Sequence, residues 1–335
     1  MTPWLVTGAA GFIGYHVSAR LLDEGEMVVG LDNLNDYYDP LLKQARLERL
    51  TARDGFDFVK ADLSDEATLE QVFERRRPRV VVNLAAQAGV RYSLIDPMAY
   101  VRSNVLGFTN VLERCRHFEV EHLVYASSSS IYGSTSRTPF SEHDPADHPV
   151  SVYAATKRSD ELLAHAYSHL FGLPTTGLRF FTVFGPWGRP DMAYYRFAEA
   201  ILDRQPIRVF GTGQALRDFT YIDDIVESVV RVARRPAAAN PAWDVATPDP
   251  GSSRWPWRVF NVGHGHQATV TRLIDILEDV IGTPATRVHT DEQPGDVPVT
   301  HADVRDLEAH TGYAPHVGLE DGLGHFVDWL KAYRQ

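Results

Sequence analysis

The segment Trp4-Leu5-Val6-Thr7-Gly8-Ala9-Ala10-Gly11-Phe12-Ile13-Gly14 narrows the possible folds more than any other part of the chain. A short apolar run leads into a turn with glycines at three-residue intervals. A helical stretch, HVSARLLDEG, and a second apolar run, MVVGLDN, follow. This is the pattern of a βαβ unit. Gly8 permits the tight turn, Gly11 lets a pyrophosphate approach the backbone, and Gly14 lets the helix pack against the strand. The helix N-terminus offers unpaired amides and a partial positive charge to phosphates. Asp32, at the end of the second run, accepts hydrogen bonds from adenosine ribose hydroxyls and repels a 2′-phosphate, which favours NAD over NADP. A glycine triplet alone is weak, and a packing turn without a ligand is the alternative. The strand before it, the helix after it and Asp32 together make the signal strong.

Further apolar runs, FDFVKADLS, RVVVNLAAQAG, EHLVYASSSS and TTGLRFFTVFG, alternate with helical stretches and end in small or polar residues. Such runs fit a parallel sheet buried on both faces, so the class is α/β, a Rossmann-type doubly wound sheet. Ligands of open α/β sheets bind beyond the carboxyl ends of the strands. That rule places Asp62 and Leu63 near an adenine ring, and Leu84, Ala85, Ala86 and Gln87 beside the cofactor. Phe12 and Ile13 of the turn, Asn33 next to Asp32, and Asn104 complete the expected cofactor contacts. After residue 180 the regularity breaks, and the elements become shorter and richer in isolated arginines. We expect an NAD-binding domain over 1–180 and a smaller mixed α/β substrate lobe over 181–335, with some segments returning to the sheet. The Pro/Ala/Ser-rich stretch 236–256 reads as an exposed loop.

A formal charge of −11 advertises no surface for nucleic acid or an anionic membrane, although local arginines still allow an anionic small substrate. Cys115 is the one cysteine, which excludes an intramolecular disulfide and a cysteine metal cluster. The first residues run straight into a strand without a signal peptide, and no apolar stretch reaches the ~20 residues that span a bilayer. A cytoplasmic location is expected. His264 and His266 share a loop without carboxylate partners, so no metal is expected.

The stretch from Tyr125 to Lys157 carries the chemistry. YASSSSIYG ends a buried strand, and SVYAATKRSDELLAHAY begins a helix. Leu162, Leu163, Ala166 and Leu170 repeat at helical spacing, with Lys157, Arg158, Asp160 and Glu161 on other faces. Tyr153 and Lys157, at i and i+4, share one face. An ammonium one turn from a phenol stabilises the phenolate. With the serine hydroxyls this makes a device for moving a proton on a substrate alcohol. A surface helix pair and strand-end capping are the bland alternatives.

TGAAGFIG, SSSSIYG before YAATK, and GTGQALRDFTYIDD, in that order, resemble the extended short-chain dehydrogenase/reductase family over essentially the whole chain. LDNLNDYYDPLLKQARLERL, RFFTVFGPWGRPDMA and QPGDVPVTHADV are similar in particular to UDP-glucuronate 4-epimerases. The resemblance implies that Tyr153 is the general base, that Lys157 assists it and holds the nicotinamide ribose, and that Ser128 hydrogen-bonds the reacting hydroxyl. Ser129 and Ser130 then face the substrate. Related dehydratases carry Asp-Glu after the hydroxyl residue and related decarboxylases a Glu, so two serines disfavour elimination. Arg189, with Thr182 and the serines, is expected to clamp the sugar carboxylate through its bidentate fork. Arg217 is expected at the UDP diphosphate and Asp296 at the nucleotide ribose. Gln293 replaces the arginine usual in galactose epimerases. Arg91 faces the substrate or makes a surface ion pair. The resemblance also implies a homodimer, through the helix after Pro97 and the one bearing Tyr153. A UDP-glucuronate decarboxylase, a neutral UDP-hexose 4-epimerase and a non-catalytic NAD-sensing scaffold are the competing readings.

Overall fold

The computed structural model of the protein describes residues 2–291 and 297–335. The first half runs β1 (Trp4–Thr7), α1 (Phe12–Asp23), β2 (Val28–Asp32), α2 (Pro40–Thr51), β3 (Phe56–Lys60), α3 (Glu66–Arg76), β4 (Val80–Asn83), α4 (Pro97–Tyr100), α5 (Gly107–His117), β5 (His122–Ser128), α6 (Val152–Phe171) and β6 (Thr175–Phe180). A π-helical turn, Val101–Leu106, joins α4 to α5. The second half runs β7 (Thr182–Phe184), α7 (Ala193–Leu202), β8 (Ile207–Phe210), β9 (Leu216–Tyr221), α8 (Ile222–Ala233), β10 (Trp257–Val262), β11 (Gln267–Thr269), α9 (Val270–Ile281), β12 (Arg287–Thr290), α10 (Arg305–Thr311) and α11 (Leu319–Tyr333).

Seven strands form one sheet in the order β10-β6-β5-β4-β1-β2-β3. Every neighbouring pair in it is parallel. Alternate residues serve opposite faces. Trp4, Val6, Val28, Val80, Val82 and Val124 enter one core cluster, while Leu5, Val29, Val81 and Leu123 enter another. Burial on both faces explains why these strands read as continuous apolar runs rather than alternating ones. Each fully buried aliphatic side chain contributes roughly 1.5–3 kcal/mol.

The run TTGLRFFTVFG, read above as one strand, is two. The chain leaves the large sheet at Phe181, whose N–H bonds Val262 O at 3.0 Å, and Thr182 then pairs with Phe219 in a three-stranded sheet, β11-β9-β7. The switch carries the chain away from the sheet just beyond the carboxyl end of β6. In the other direction, β10 comes from late in the chain and closes the edge of the large sheet beside β6.

On helix α6 the charged residues, rather than the leucine repeat, are the buried ones. Leu162 and Leu170 are 57% and 65% exposed, whereas Lys157, Asp160 and Glu161 are buried. The charged face turns inward because β6 places Arg179 beneath it, and Arg179 bonds both oxygens of Glu161 at 2.9 and 3.0 Å. A buried cation needs a paired anion more than the sheet needs another leucine.

Candidate active site

The glycine turn is shaped for close approach. Gly8 has φ +68°, and a Cβ there would lie 2.8 Å from Ala85 N, so this glycine serves both the turn and contact with the loop after β4. A Cβ on Gly11 would stand 2.9 Å from Gly8 O, and one on Gly14 only 2.1 Å from it. Gly14 therefore lets α1 sit against the turn itself, rather than against the strand as expected. Gly11 caps α1, and the side chains of Phe12 and, in part, Ile13 pack into the core, so what these residues present to the turn is backbone. The Asp32 carboxylate accepts the Ala10 N–H at 3.1 Å and the Leu34 N–H at 2.8 Å, which holds it at the end of β2 beside the turn. Asn33 donates to Asp62 at 2.7 Å, and Ser64 donates to Asp62 through N–H and hydroxyl. Burial raises the Asp62 carboxyl, but these donors outweigh it and hold it below its usual range. Leu63 is buried against Gly107. A cradle that a Cβ would fill, ending on a helix N-terminus and flanked by Asp32, fits an adenine dinucleotide.

Asn104, in the π-turn, accepts the Gln87 N–H at 2.9 Å and donates to Gln87 O at 3.1 Å and Thr156 Oγ1 at 3.0 Å. It ties the loop after β4, where half-buried Leu84, Ala85 and Ala86 lie, to the residue before Lys157. Single-turn π-bulges recur at functional sites because they re-aim side chains.

Ser151 caps α6 by accepting the Ala154 N–H at 3.1 Å, which fixes the helix start two residues before Tyr153. Tyr153 is half-buried. Lys157 Nζ donates to Asp160 Oδ2 at 3.0 Å, with 3% and 1% of the two side chains exposed. Ser127 donates to Glu161 at 2.6 Å and is buried. Ser128 accepts the Ser130 N–H at 3.2 Å and donates to Ser130 Oγ at 3.2 Å, while Ser129 and Ser130 are half-buried. The serine run thus divides into one hydroxyl committed to the core and three at the strand end.

A row of rings joins the two sides of the site. Tyr153 and Tyr100 stand edge to face at 6.0 Å, whereas Tyr100 and Tyr92, at 6.3 Å, and Tyr92 and Tyr37, at 5.1 Å, are tilted to one another. The Tyr37 hydroxyl donates to Asp191 at 3.2 Å, and Arg189 grips Asp191 with Nε at 3.0 Å and Nη2 at 2.6 Å. Burial, then the Asp191 charge, pushes the Tyr37 phenol up to about 12. The Arg189 fork is therefore engaged by Asp191, a partner the sequence reading did not assign. That reading also missed Arg46. Its N–H groups reach Ala10 O in the glycine turn, the Tyr38 hydroxyl, and Trp187 O and Gly188 O in the loop that leads to Arg189. One buried guanidinium links the cofactor turn to the arginine loop.

The Arg91 guanidinium lies over the Phe210 ring at 4.4 Å. Thr182 opens β7, and Arg217 stands on the neighbouring β9, where it donates to Leu216 O at 2.9 Å and Pro298 O at 3.2 Å. Asp296 and Gln293 lie outside the described residues. His264 Nδ1 meets His266 Nδ1 at 3.1 Å, and no group of three potential metal ligands occurs among the described residues.

Comparison with known proteins adds to this geometry. The "NAD dependent epimerase/dehydratase family" matches residues 4–246. Protein CapI of Staphylococcus aureus is 50% identical, with 98% of each chain covered. The "Probable UDP-glucuronate 4-epimerase" of Rhizobium meliloti (strain 1021) is 48% identical over 99% of this chain and 98% of the relative. The crystal structure of UDP-glucuronic acid 4-epimerase from Bacillus cereus in complex with UDP-glucuronic acid and NAD superposes with a TM-score of 0.88, at 34% identity and 99% coverage of both chains. With these likenesses running through the glycine turn, the serine strand and α6 alike, the chain belongs to the NAD dependent epimerase/dehydratase family.

Proposed function

We propose that this chain interconverts UDP-glucuronate and UDP-galacturonate by inverting the sugar's C4 through a 4-keto intermediate. The observation that carries the reading is the makeup of the reacting end. It holds the Tyr153 phenol, the buried Lys157 ammonium and the hydroxyls of Ser128, Ser129 and Ser130, with no carboxylate following Ser128 in the strand end. Such a set moves a proton on an alcohol but has no acid–base pair there to drive elimination. The glycine turn, Asp32, Asn33, Asp62 and the loop after β4 are the residues that would hold NAD, with Asn104 keeping that loop in register with α6. When bound, NAD supplies reversible hydride acceptance at a sugar carbon.

The chain's own part is placement and proton control. Tyr153 takes the C4 hydroxyl proton and later returns it, and Ser128 orients that hydroxyl. A 4-keto uronate is a β-keto acid, and it loses CO2 most easily when the carboxylate bond stands perpendicular to the carbonyl. Arg189 and Thr182 hold the carboxylate off that orientation, the substrate taking over from Asp191 on the guanidinium fork. Arg189→Ala is expected to raise KM for UDP-glucuronate about tenfold or more and to release a pentose nucleotide. Unchanged preference for the acid sugar with no pentose would remove this role. Incubating purified protein with UDP-glucuronate and reading the C4 proton by NMR tests the reading as a whole. UDP-galacturonate supports it, and a pentose product as the main outcome favours a decarboxylase.

A homodimer and a cytoplasmic location complete the proposal. Leu94, Ile95, Met98 and Val101 are exposed on and beside α4, and Leu162, Leu170 and Phe171 on α6, a helix that packs against α4. An apolar surface of this kind marks an interaction site. Sedimentation at twice the chain mass, falling to one chain mass in Leu162→Glu, is the expected result. No helix among the described residues is long and apolar enough to cross a membrane.

A further inference from the structure

We propose that Arg46 is a positioning residue for this reaction: its guanidinium, with His16, fixes the loop 186–188 so that Arg189 meets the sugar carboxylate in one place. This rests on the assignment of Arg189 to the carboxylate above. Arg46 is fully buried, and its five N–H donors are all engaged. Nη1 donates to Ala10 O at 3.0 Å and to the Tyr38 hydroxyl at 2.8 Å. Nε donates to Trp187 O at 3.1 Å, and Nη2 to Trp187 O at 2.6 Å and Gly188 O at 2.9 Å. None of these acceptors is a carboxylate. Enclosing a cation among neutral oxygens is costly, and an apolar side chain of similar size often serves stability as well. What the guanidinium adds is a planar fork that spans the glycine turn, the loop after β2 and the loop after β7.

The loop after β7 needs such a hold. Trp187 has φ +61°, a left-handed conformation that a bulky residue keeps only where its surroundings dictate it. Three consecutive carbonyls of this loop are met from α1 and α2. Pro186 O accepts from His16 Nε2 at 3.0 Å, and Trp187 O and Gly188 O accept from Arg46. The Trp187 ring is held too, 5.6 Å from Tyr15 and 5.2 Å from Trp329. A Cβ on Gly188 would run into the Tyr194 hydroxyl, so the chain also passes close to α7. Arg189 comes next, and its Nη2 lies 3.7 Å from where a Cβ on Gly89 would stand in the loop after β4. Residues 186–188 are thus a fixed arm that carries the fork to the cofactor side. Through Ala10 O the same guanidinium ties that arm to the turn that would hold the dinucleotide, and so keeps carboxylate and cofactor in register.

The test is Arg46→Lys, whose single ammonium cannot span Ala10 O and Gly188 O together. Affinities for UDP-glucuronate and for neutral UDP-glucose are measured by calorimetry on the dinucleotide-loaded protein. The first should weaken about tenfold and the second less than about twofold, because only the acid sugar uses the fork. With UDP-glucuronate the variant should also release a pentose nucleotide. In an Arg189→Ala background, Arg46→Lys should leave the ratio of the two affinities unchanged, since Arg46 acts through that fork. A merely structural role would weaken both sugars alike or neither, and either result overturns the proposal. Hydrogen exchange needs no substrate: amides of 185–192 should exchange at least about tenfold faster in Arg46→Lys, with β5 unchanged. If Arg46→Lys does not fold, His16→Phe keeps the ring contacts with Phe12 and Tyr15 but removes the donor to Pro186 O. The same selective loss is expected of it, and an unchanged ratio there overturns the proposal. An unsubstituted protein without preference for UDP-glucuronate would sink the uronate reading instead, and the exchange rates would still decide whether Arg46 holds the loop.

Discussion

Tyr153→Phe is expected to slow epimerisation by about 10³-fold while leaving the fold and the dinucleotide site near wild type. Removing a positioned general base or acid typically costs 10²–10⁴-fold. The phenylalanine ring keeps the edge-to-face contact with Tyr100 at 6.0 Å. Tyr153 makes its lost contribution through one oxygen, so rate and stability should separate. Single-turnover rates, measured with the thermal midpoint and the absorbance of retained dinucleotide, give that separation. A rate within tenfold of wild type would move the proton-transfer role elsewhere, and Ser128 would be the next group to test.

The second large effect is on stability. Glu161→Gln should lower unfolding free energy by about 3–5 kcal/mol, because it leaves the Arg179 guanidinium buried without a counter-charge. Both side chains are 0% exposed, and the pair is bidentate. Arg179 also donates to the Tyr132 hydroxyl at 2.8 Å, which donates in turn to Asn261 at 2.7 Å. The same carboxylate receives Ser127 and Arg158. Replacing both partners with apolar residues, as in Glu161→Leu with Arg179→Met, should recover most of the loss. The pH dependence follows from the sign of the shift. Burial raises the Glu161 carboxyl, but Arg179 and the other donors outweigh it and hold it below its usual range. The stability from this pair is therefore present above the unfolded carboxyl value near ~4.3 and is lost as pH falls through the lower folded value. Chemical denaturation at pH 7 and at about pH 3, well below the unfolded carboxyl value, would show a smaller penalty for Glu161→Gln at the lower pH. An equal penalty at both would mean that the charge is not what Arg179 needs.

Much of the architecture was legible because it is local. The strand, glycine turn and helix from Trp4 to Gly14, with Asp32 beyond them, need only chain order to be read. The apolar runs announce a sheet buried on both faces for the same reason. Tyr153 and Lys157 could be paired from helical spacing alone. What stayed hidden is non-local charge. Arg179 sits in a run of strand-forming residues, eighteen positions from Glu161 in sequence, so nothing in α6 shows that its charged face turns inward. From sequence the leucine repeat fits a subunit interface and burial against the sheet equally well, and Leu162 and Leu170 face outward. Arg46 lies on α2, and its carbonyl partners Trp187 and Gly188 are far along the chain. Asp191, two residues from Arg189, was visible in the sequence. The segment reads as a loop, where spacing alone does not pair side chains. The division of the serine run into Ser127 for the core and Ser128–Ser130 for the strand end likewise needed Glu161 to be placed first.

The account turns on a hydride leaving and rejoining C4, and a proton leaving and rejoining the C4 oxygen, without loss of carboxylate. Turnover of UDP-glucuronate carrying deuterium at C4 tests that most directly. The prediction is UDP-galacturonate with the deuterium retained at C4 and no incorporation from water. Washout of the label into solvent, or its appearance in a pentose nucleotide, would contradict it.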